Sequence, residues 1–225
     1  MFLRKLVIKV GLRMIFRVKA KIILPIILLA VFALSRWPGL MPQNFSAAYA
    51  IAFCAGLYLP KKMAWWFPLG VLLGTDLVLN CYYQFSKGYE CFTISVLIYM
   101  LGNYGGYAFL VWLGRKFTRQ ASLLSLVGGG LLGALLFYFI TNTMSWLLNP
   151  FGNPEYTKNL SGWIIALTKG TAGWPHTWEF FRNTLLSGGL FTGMFVGAMK
   201  LEERAEPEEQ EATSPEPDEQ PENAQ

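Results

Sequence analysis

Apolar residues run in long blocks along this chain, separated by short polar, basic or turn-rich stretches. Blocks approaching about twenty residues are the length a helix needs to cross a bilayer. The first covers residues 22–35 and contains Pro25. It follows a stretch, 1–21, in which Arg4, Lys5, Lys9, Arg13, Arg17, Lys19 and Lys21 alternate with Leu, Ile, Val and Phe. That stretch reads as a basic amphipathic helix on a membrane surface. A secretory signal is the rival reading, but the basic region is long for one and Arg36-Trp37-Pro38 is a poor start for a mature chain. The connector Trp37–Phe45 is rich in Pro and Gly. The second block is 46–60, stopped by Lys61 and Lys62. The third follows Trp65 and Trp66, runs to Tyr83 and contains Asp76. The fourth is 91–114, the fifth 123–148 and the sixth 178–199. The connector before the sixth carries Leu160, Trp163, Ile164 and Leu167 at helical spacing, which predicts a short helix lying flat on the membrane.

The expected fold is therefore all-α: a polytopic bundle of six transmembrane helices over 22–200. Residues 1–21 form a basic arm. The tail, 201–225, is rich in Glu, Pro and Gln and reads as disordered. Small residues recur every four positions at Ala48, Ala52 and Gly56, and again at Gly189, Gly193 and Gly197. Such stripes let helices, of this chain or of a partner, approach closely. Gly70 and Gly74 share a face of the third block.

Charge sharpens this picture. Eighteen of the nineteen Lys and Arg and only four of the fourteen carboxylates precede residue 201, a net +14; the tail carries −9. The cations flank apolar blocks, which orients helices and gives no footprint for nucleic acid. With the N-terminus inside, fourteen cations fall on the inner side and five on the outer. Both termini are then cytoplasmic, and the location is the inner membrane of a bacterial cell, with membrane lipid as the surroundings.

The few polar groups within the blocks favour the outer half. Asp76, fourteen residues beyond Lys62, lies about 21 Å above it. Asn142 and Thr143 lie near the outer end of block five, Arg182 enters block six from outside, and Asn103 and Tyr104 sit nearer mid-membrane. A pore would spread such groups along its length. This arrangement suggests a cup, open outward and closed below, with an excess of outer aromatics to stack on a planar molecule. The candidate binding residues are Asp76, Asn103, Asn142, Trp146, Trp178, Arg182 and Asn183, with Arg182 clamping an anionic or carbonyl group. Each has a plainer reading: Asp76 pairing with Arg182, Asn142 bridging helices, the tryptophans forming an interfacial belt.

Catalytic chemistry is thin. One histidine, no HExxH, no GxSxG and no GxxxxGK[ST] leave no triad, zinc protease or nucleotide loop. No cofactor and no metal are expected. Cys54, Cys81 and Cys91 form no CxxC; Cys81 and Cys91 either bridge across a short loop or pack independently.

Several strings carry a resemblance: Asn44-Phe45-Ser46, Thr75-Asp76, Phe137–Asn142 with Trp146, Tyr156–Gly162, and Phe180-Phe181-Arg182-Asn183-Thr184-Leu185-Leu186. Over 44–197 the chain resembles a bacterial family of six-helix membrane proteins of unknown function, which is similar to the substrate-binding S components of energy-coupling-factor (ECF) vitamin transporters. Two positions depart from that family: Thr75 where Ser is common, and Gly188 where an acid often stands. The resemblance implies capture of a vitamin-like small molecule in an outward-facing pocket. It also implies a transmembrane coupling subunit driven by two ATPases, with the small-residue stripes as contact surface. A membrane scaffold is the alternative function, and an intramembrane enzyme the third.

Overall fold

A computed structural model describes the backbone of residues 30–211 and the side chains of 30–203. The basic arm, most of the first block and the end of the tail lie outside the described residues. Seven helices follow one another: α1 (30–36), α2 (Ala48–Tyr58), α3 (Met63–Lys87), α4 (Ile94–Gly114), α5 (Leu123–Leu148), α6 (Leu160–Thr168) and α7 (Thr177–Glu211). No strand occurs among the described residues.

Local chemistry sets the boundaries. The Thr93, Ser122 and Asn159 side chains each accept a backbone N–H of the helix they begin, capping α4, α5 and α6. Gly88 ends α3 in the left-handed conformation, at φ 73°. The last helix does not stop at the expected tail boundary: Leu201, Glu202 and Glu203 are good helix formers, and α7 continues to Glu211.

Helices α3, α4, α5 and α7 are long and apolar enough to cross a membrane. Among the described residues, four of the six expected blocks thus form helices of spanning length, and the first block lies mostly outside those residues. The second block is the main difference. Its helix, α2, has 11 residues and rises only about 16 Å, roughly half of a hydrocarbon core. Every one of its residues is buried, because it runs up the middle of the bundle between α3, α4, α5 and α7. Alanine and glycine make this possible. A Cβ on Gly56 would lie 2.1 Å from the Val111 carbonyl oxygen, and one on Gly114 would lie 2.0 Å from that of Phe53. Helices α2 and α4 therefore cross main chain against main chain.

On the other side α5 and α7 pack antiparallel. Gly188 meets the Ala134 methyl, Gly189 meets Leu131, and Gly130 receives Thr192. Gly193 is in ordinary contact with Val127, and nothing approaches Gly197. The stripes at Ala48, Ala52 and Gly56 and at Gly189 and Gly193 thus face neighbours within the chain.

Residues 37–47 fill the space above α2. The Ala47 N–H donates to Ser35 Oγ at 3.0 Å, the Tyr49 hydroxyl to the Asn44 carbonyl at 3.2 Å, and the Asn183 amide to the Gln43 carbonyl at 2.9 Å. Asn44 takes the left-handed conformation, φ 60°, to make this turn.

Nor does α6 lie across the bundle. The Trp146 indole donates to the Thr157 carbonyl, the Trp163 indole to Thr143 Oγ1, and the Tyr138 hydroxyl to the Leu167 carbonyl. Residue numbers rise on one side of these pairs as they fall on the other, so α6 runs antiparallel alongside α5. Its indole and carbonyl groups find partners there, which a helix lying flat in the headgroup layer would have to seek in water.

Candidate functional site

Lys61, Lys62, Arg115, Lys116, Arg119 and Lys200 gather at one end of the bundle, where Arg119 donates to the Tyr58 carbonyl and Lys200 to that of Arg119. Asp76 lies thirteen residues beyond Met63 on α3, about 20 Å from this basic end. Its carboxylate forms an ion pair with Arg36, at the end of α1. The second oxygen accepts the Tyr104 hydroxyl of α4 at 2.8 Å. The two charged side chains are only 13% and 17% exposed. A carboxylate buried among apolar helices needs both a cation and hydrogen bonds to remain charged, and Arg36 and Tyr104 supply them.

Aromatic rings surround this centre. The guanidinium lies 5.7 Å from the Phe32 ring centroid. Tyr107, one turn from Tyr104, stacks on Tyr49 at 6.3 Å and packs on Phe137 at 4.7 Å. Tyr49 meets Phe137 edge-on at 4.9 Å, and the Thr184 hydroxyl approaches the Tyr49 hydroxyl at 3.5 Å. Six helices thus converge on one polar centre with flat apolar walls. One donor there is unsatisfied: Arg36 Nε is buried and has no acceptor among the described residues. A buried donor of this kind costs free energy unless something accepts from it.

The residues expected from the sequence separate into three groups. Asp76 belongs to the centre. Asn103, half-buried, is the chain neighbour of Tyr104. Asn183 is buried but satisfies Gln43. Asn142 donates to the Tyr138 carbonyl of its own helix at 2.8 Å, and Trp146 fastens the chain before α6. Arg182 and Trp178 are exposed, and the guanidinium sits 5.9 Å from the Trp178 ring. The pairing of Asp76 with Arg182 is therefore replaced by pairing with Arg36. The reason is helix phase. Arg182 shares a ridge with Leu186 and Leu190, both exposed, whereas the adjacent Asn183 faces inward.

Arg36, Tyr49, Tyr104 and Tyr107 were not among the expected site residues. A signal existed: Asp76 is the only carboxylate in the third block, so it requires a cation, and Arg36 directly follows the first block, at the matching end. Tyr104 and Tyr107, three apart, share a helix face. Elsewhere, a crevice of about 10 Å³ opens between α4 and α5 beside Tyr99, Gly102 and Met144, room for about one water. Among the described residues no cluster of His, Cys, Asp or Glu could hold a metal ion, and all three cysteines are free thiols.

Over residues 16–210 the chain matches the profile of a family described as a family of unknown function (DUF6580). No curated protein and no solved structure matches it.

Proposed function

We propose that this chain, which belongs to the family of unknown function DUF6580, captures a small polar molecule at the Arg36–Asp76–Tyr104 centre. It would act as the binding subunit of an uptake system, in the manner of ECF S components. The observation that carries this reading is the buried ion pair whose arginine keeps one donor without an acceptor among the described residues. A bundle that only had to hold together would be served as well by apolar side chains of similar volume. Ionic groups at membrane depth mark binding or transport sites more often than struts. Tyr49, Tyr104, Tyr107 and Phe137 offer flat walls, and the tyrosines add hydroxyls, a combination suited to a planar polar ligand.

On this reading the basic end faces the cytoplasm of a bacterial cell and both termini lie there. The connector 37–47 covers the opposite, outward end, and a ligand enters by displacing it. Energy comes from partners, a coupling subunit and its ATPases, since the sequence carries no nucleotide-binding loop.

The test is extraction of small molecules from protein purified in mild detergent, followed by mass spectrometry and thermal-shift screening with a vitamin panel. A ligand retained by the natural protein and lost in Arg36→Gln supports capture. Protein that carries no small molecule beyond lipid, and that no panel member stabilises, refutes it.

One observation favours the scaffold alternative. Among the described residues nothing approaches Gly70 or Gly74 on α3, a face on which another membrane helix could pack. Crosslinking from Gly70→Cys to a different membrane protein, with no ligand found, would support that reading instead.

A further inference from the structure

Arg182 stands apart from the centre and from the carboxylates of the described residues. Among the described residues no acid lies within ion-pair distance of it. Glu179, one turn away, accepts the His176 backbone N–H at the start of α7. The remaining polar contact of Arg182 is long, 3.4 Å from Nε to Asn183 Oδ1. A full guanidinium charge is thus left facing outward on a helix otherwise built for lipid.

Its position along the helix is informative. Trp178, Arg182, Leu186, Leu190 and Met194 recur every four residues and form one exposed ridge, with the four apolar members 50%, 58%, 51% and 48% exposed in chain order. From Leu186 onward this ridge is purely apolar. Lys200, at the basic end, lies eighteen residues from Arg182, a rise of about 27 Å. That is close to the roughly 30 Å thickness of a hydrocarbon core. If Lys200 marks one boundary, Arg182 reaches the other, with Trp178 just beyond. A guanidinium at that depth meets phosphodiester groups, and its planar fork matches phosphate oxygens. An indole beside it suits the same layer, one edge apolar and one polar.

We propose that Arg182 and Trp178 seat the headgroup of one anionic phospholipid, with an acyl chain lying along Leu186, Leu190 and Met194. The occupant is phosphatidylglycerol. Its net negative charge neutralises a guanidinium that has no acidic partner among the described residues, whereas a choline headgroup brings a cation of its own. The assignment is independent of what the Arg36 centre binds. It also explains an arginine in the second turn of an apolar helix without reference to the Arg36 centre.

The test uses the full chain in detergent with added phosphatidylglycerol, phosphatidylcholine or inorganic phosphate, read by native mass spectrometry. The natural protein should retain one phosphatidylglycerol in preference to phosphatidylcholine, and millimolar phosphate should not displace it. Arg182→Gln should weaken that retention by about tenfold or more, the value of one charge-assisted hydrogen bond. Lys87→Gln, in an exposed cation outside the ridge, should leave it unchanged. Arg182 is exposed, so the variant should unfold at the natural temperature, which makes the comparison one of binding. Equal retention in Arg182→Gln overturns the proposal. So does equal retention of the two lipids by the natural protein, or displacement by free phosphate, which would indicate a general interfacial belt or a simple anion site.

Discussion

Replacing Asp76 by Leu removes the anion from a centre in which Arg36 is mostly buried. Breaking a buried pair from one side costs about 3–5 kcal/mol, because the remaining charge stays desolvated. Tyr104, whose hydroxyl donates to the same carboxylate at 2.8 Å, also loses its acceptor, which adds about 1–3 kcal/mol if water cannot replace it. The expected loss for Asp76→Leu is therefore about 4–8 kcal/mol. The pair's own worth is far smaller, since replacing both partners by apolar groups is often neutral. Arg36→Met combined with Asp76→Leu should thus recover most of the loss and leave about 1–3 kcal/mol at Tyr104. Adding Tyr104→Phe should bring the triple variant within about 1 kcal/mol of the natural protein. The assay is reversible unfolding in mixed micelles of mild and denaturing detergent, followed by tryptophan emission. A double variant no more stable than Asp76→Leu alone would show that Arg36 and Asp76 are not energetically coupled. The reasoning about the centre would then fail.

Gly114→Ala puts a methyl 2.0 Å from the Phe53 carbonyl oxygen and should destabilise by about 1–3 kcal/mol through forced separation of α2 and α4; Gly70→Ala, with open space, should be neutral or gain up to about 1 kcal/mol in the same unfolding assay. Trp163→Phe removes the indole bond to Thr143 and should cost about 1 kcal/mol, seen as faster hydrogen exchange across α6 but not α4. The Glu155 carboxylate accepts the Ala172 N–H at 2.9 Å, which holds its pKa below the ordinary carboxylate value. Its stabilising contribution is complete above the unfolded carboxylate pKa and disappears as pH falls through the lowered folded one; Glu155→Gln should flatten the acid limb of the thermal-unfolding profile, and parallel profiles would contradict this. Cys81 and Cys91 are separate free thiols, so intact mass after alkylation of the denatured, unreduced protein should show all three cysteines labelled.

The long helices were legible because hydrocarbon-length apolar runs leave little choice. The blocks read at 91–114 and 123–148 correspond to Ile94–Gly114 and Leu123–Leu148, and Thr93 and Ser122 supply caps that a sequence displays openly. The short helix read from Leu160, Trp163, Ile164 and Leu167 is also present, but its direction was not legible, since apolar spacing states which face is buried and not against what. The second block misled for a related reason. Its composition suits a span, yet alanine and glycine pack as well at the centre of a bundle as in lipid, so composition cannot tell a buried half-length helix from a crossing one. The site was half legible. Asp76 stood out as an acid among apolar residues. Its partner did not, because Arg182 and Asn183 differ by one residue, which is about 100° of helix phase, and only packing decides which of the two faces inward.

Polar side chains inside an apolar bundle serve two needs, and separating these gives the strongest case for where binding occurs. The first need belongs to the backbone. Residues 37–47 are not helical, and irregular backbone at membrane depth must find partners within the protein. Ser35, Tyr49 and Asn183 meet that need at Ala47, Asn44 and Gln43. Trp146 and Tyr138 do the same around α6, the Trp163 indole pairs with the Thr143 hydroxyl, and Asn142 bonds back to its own helix. These residues look like ligand groups in a sequence, and the chain's own geometry already occupies them. What remains after this subtraction is small. Arg36 Nε, the Tyr58 hydroxyl and the Thr192 hydroxyl are buried without partners among the described residues. Thr192 is pressed against Gly130, and Tyr58 lies at the basic end beneath Arg119. Only Arg36 combines an unused donor, a charge, a carboxylate partner and a wall of tyrosines. The backbone does not require that combination, which is why the binding proposal rests on Arg36 and not on the more conspicuous Arg182.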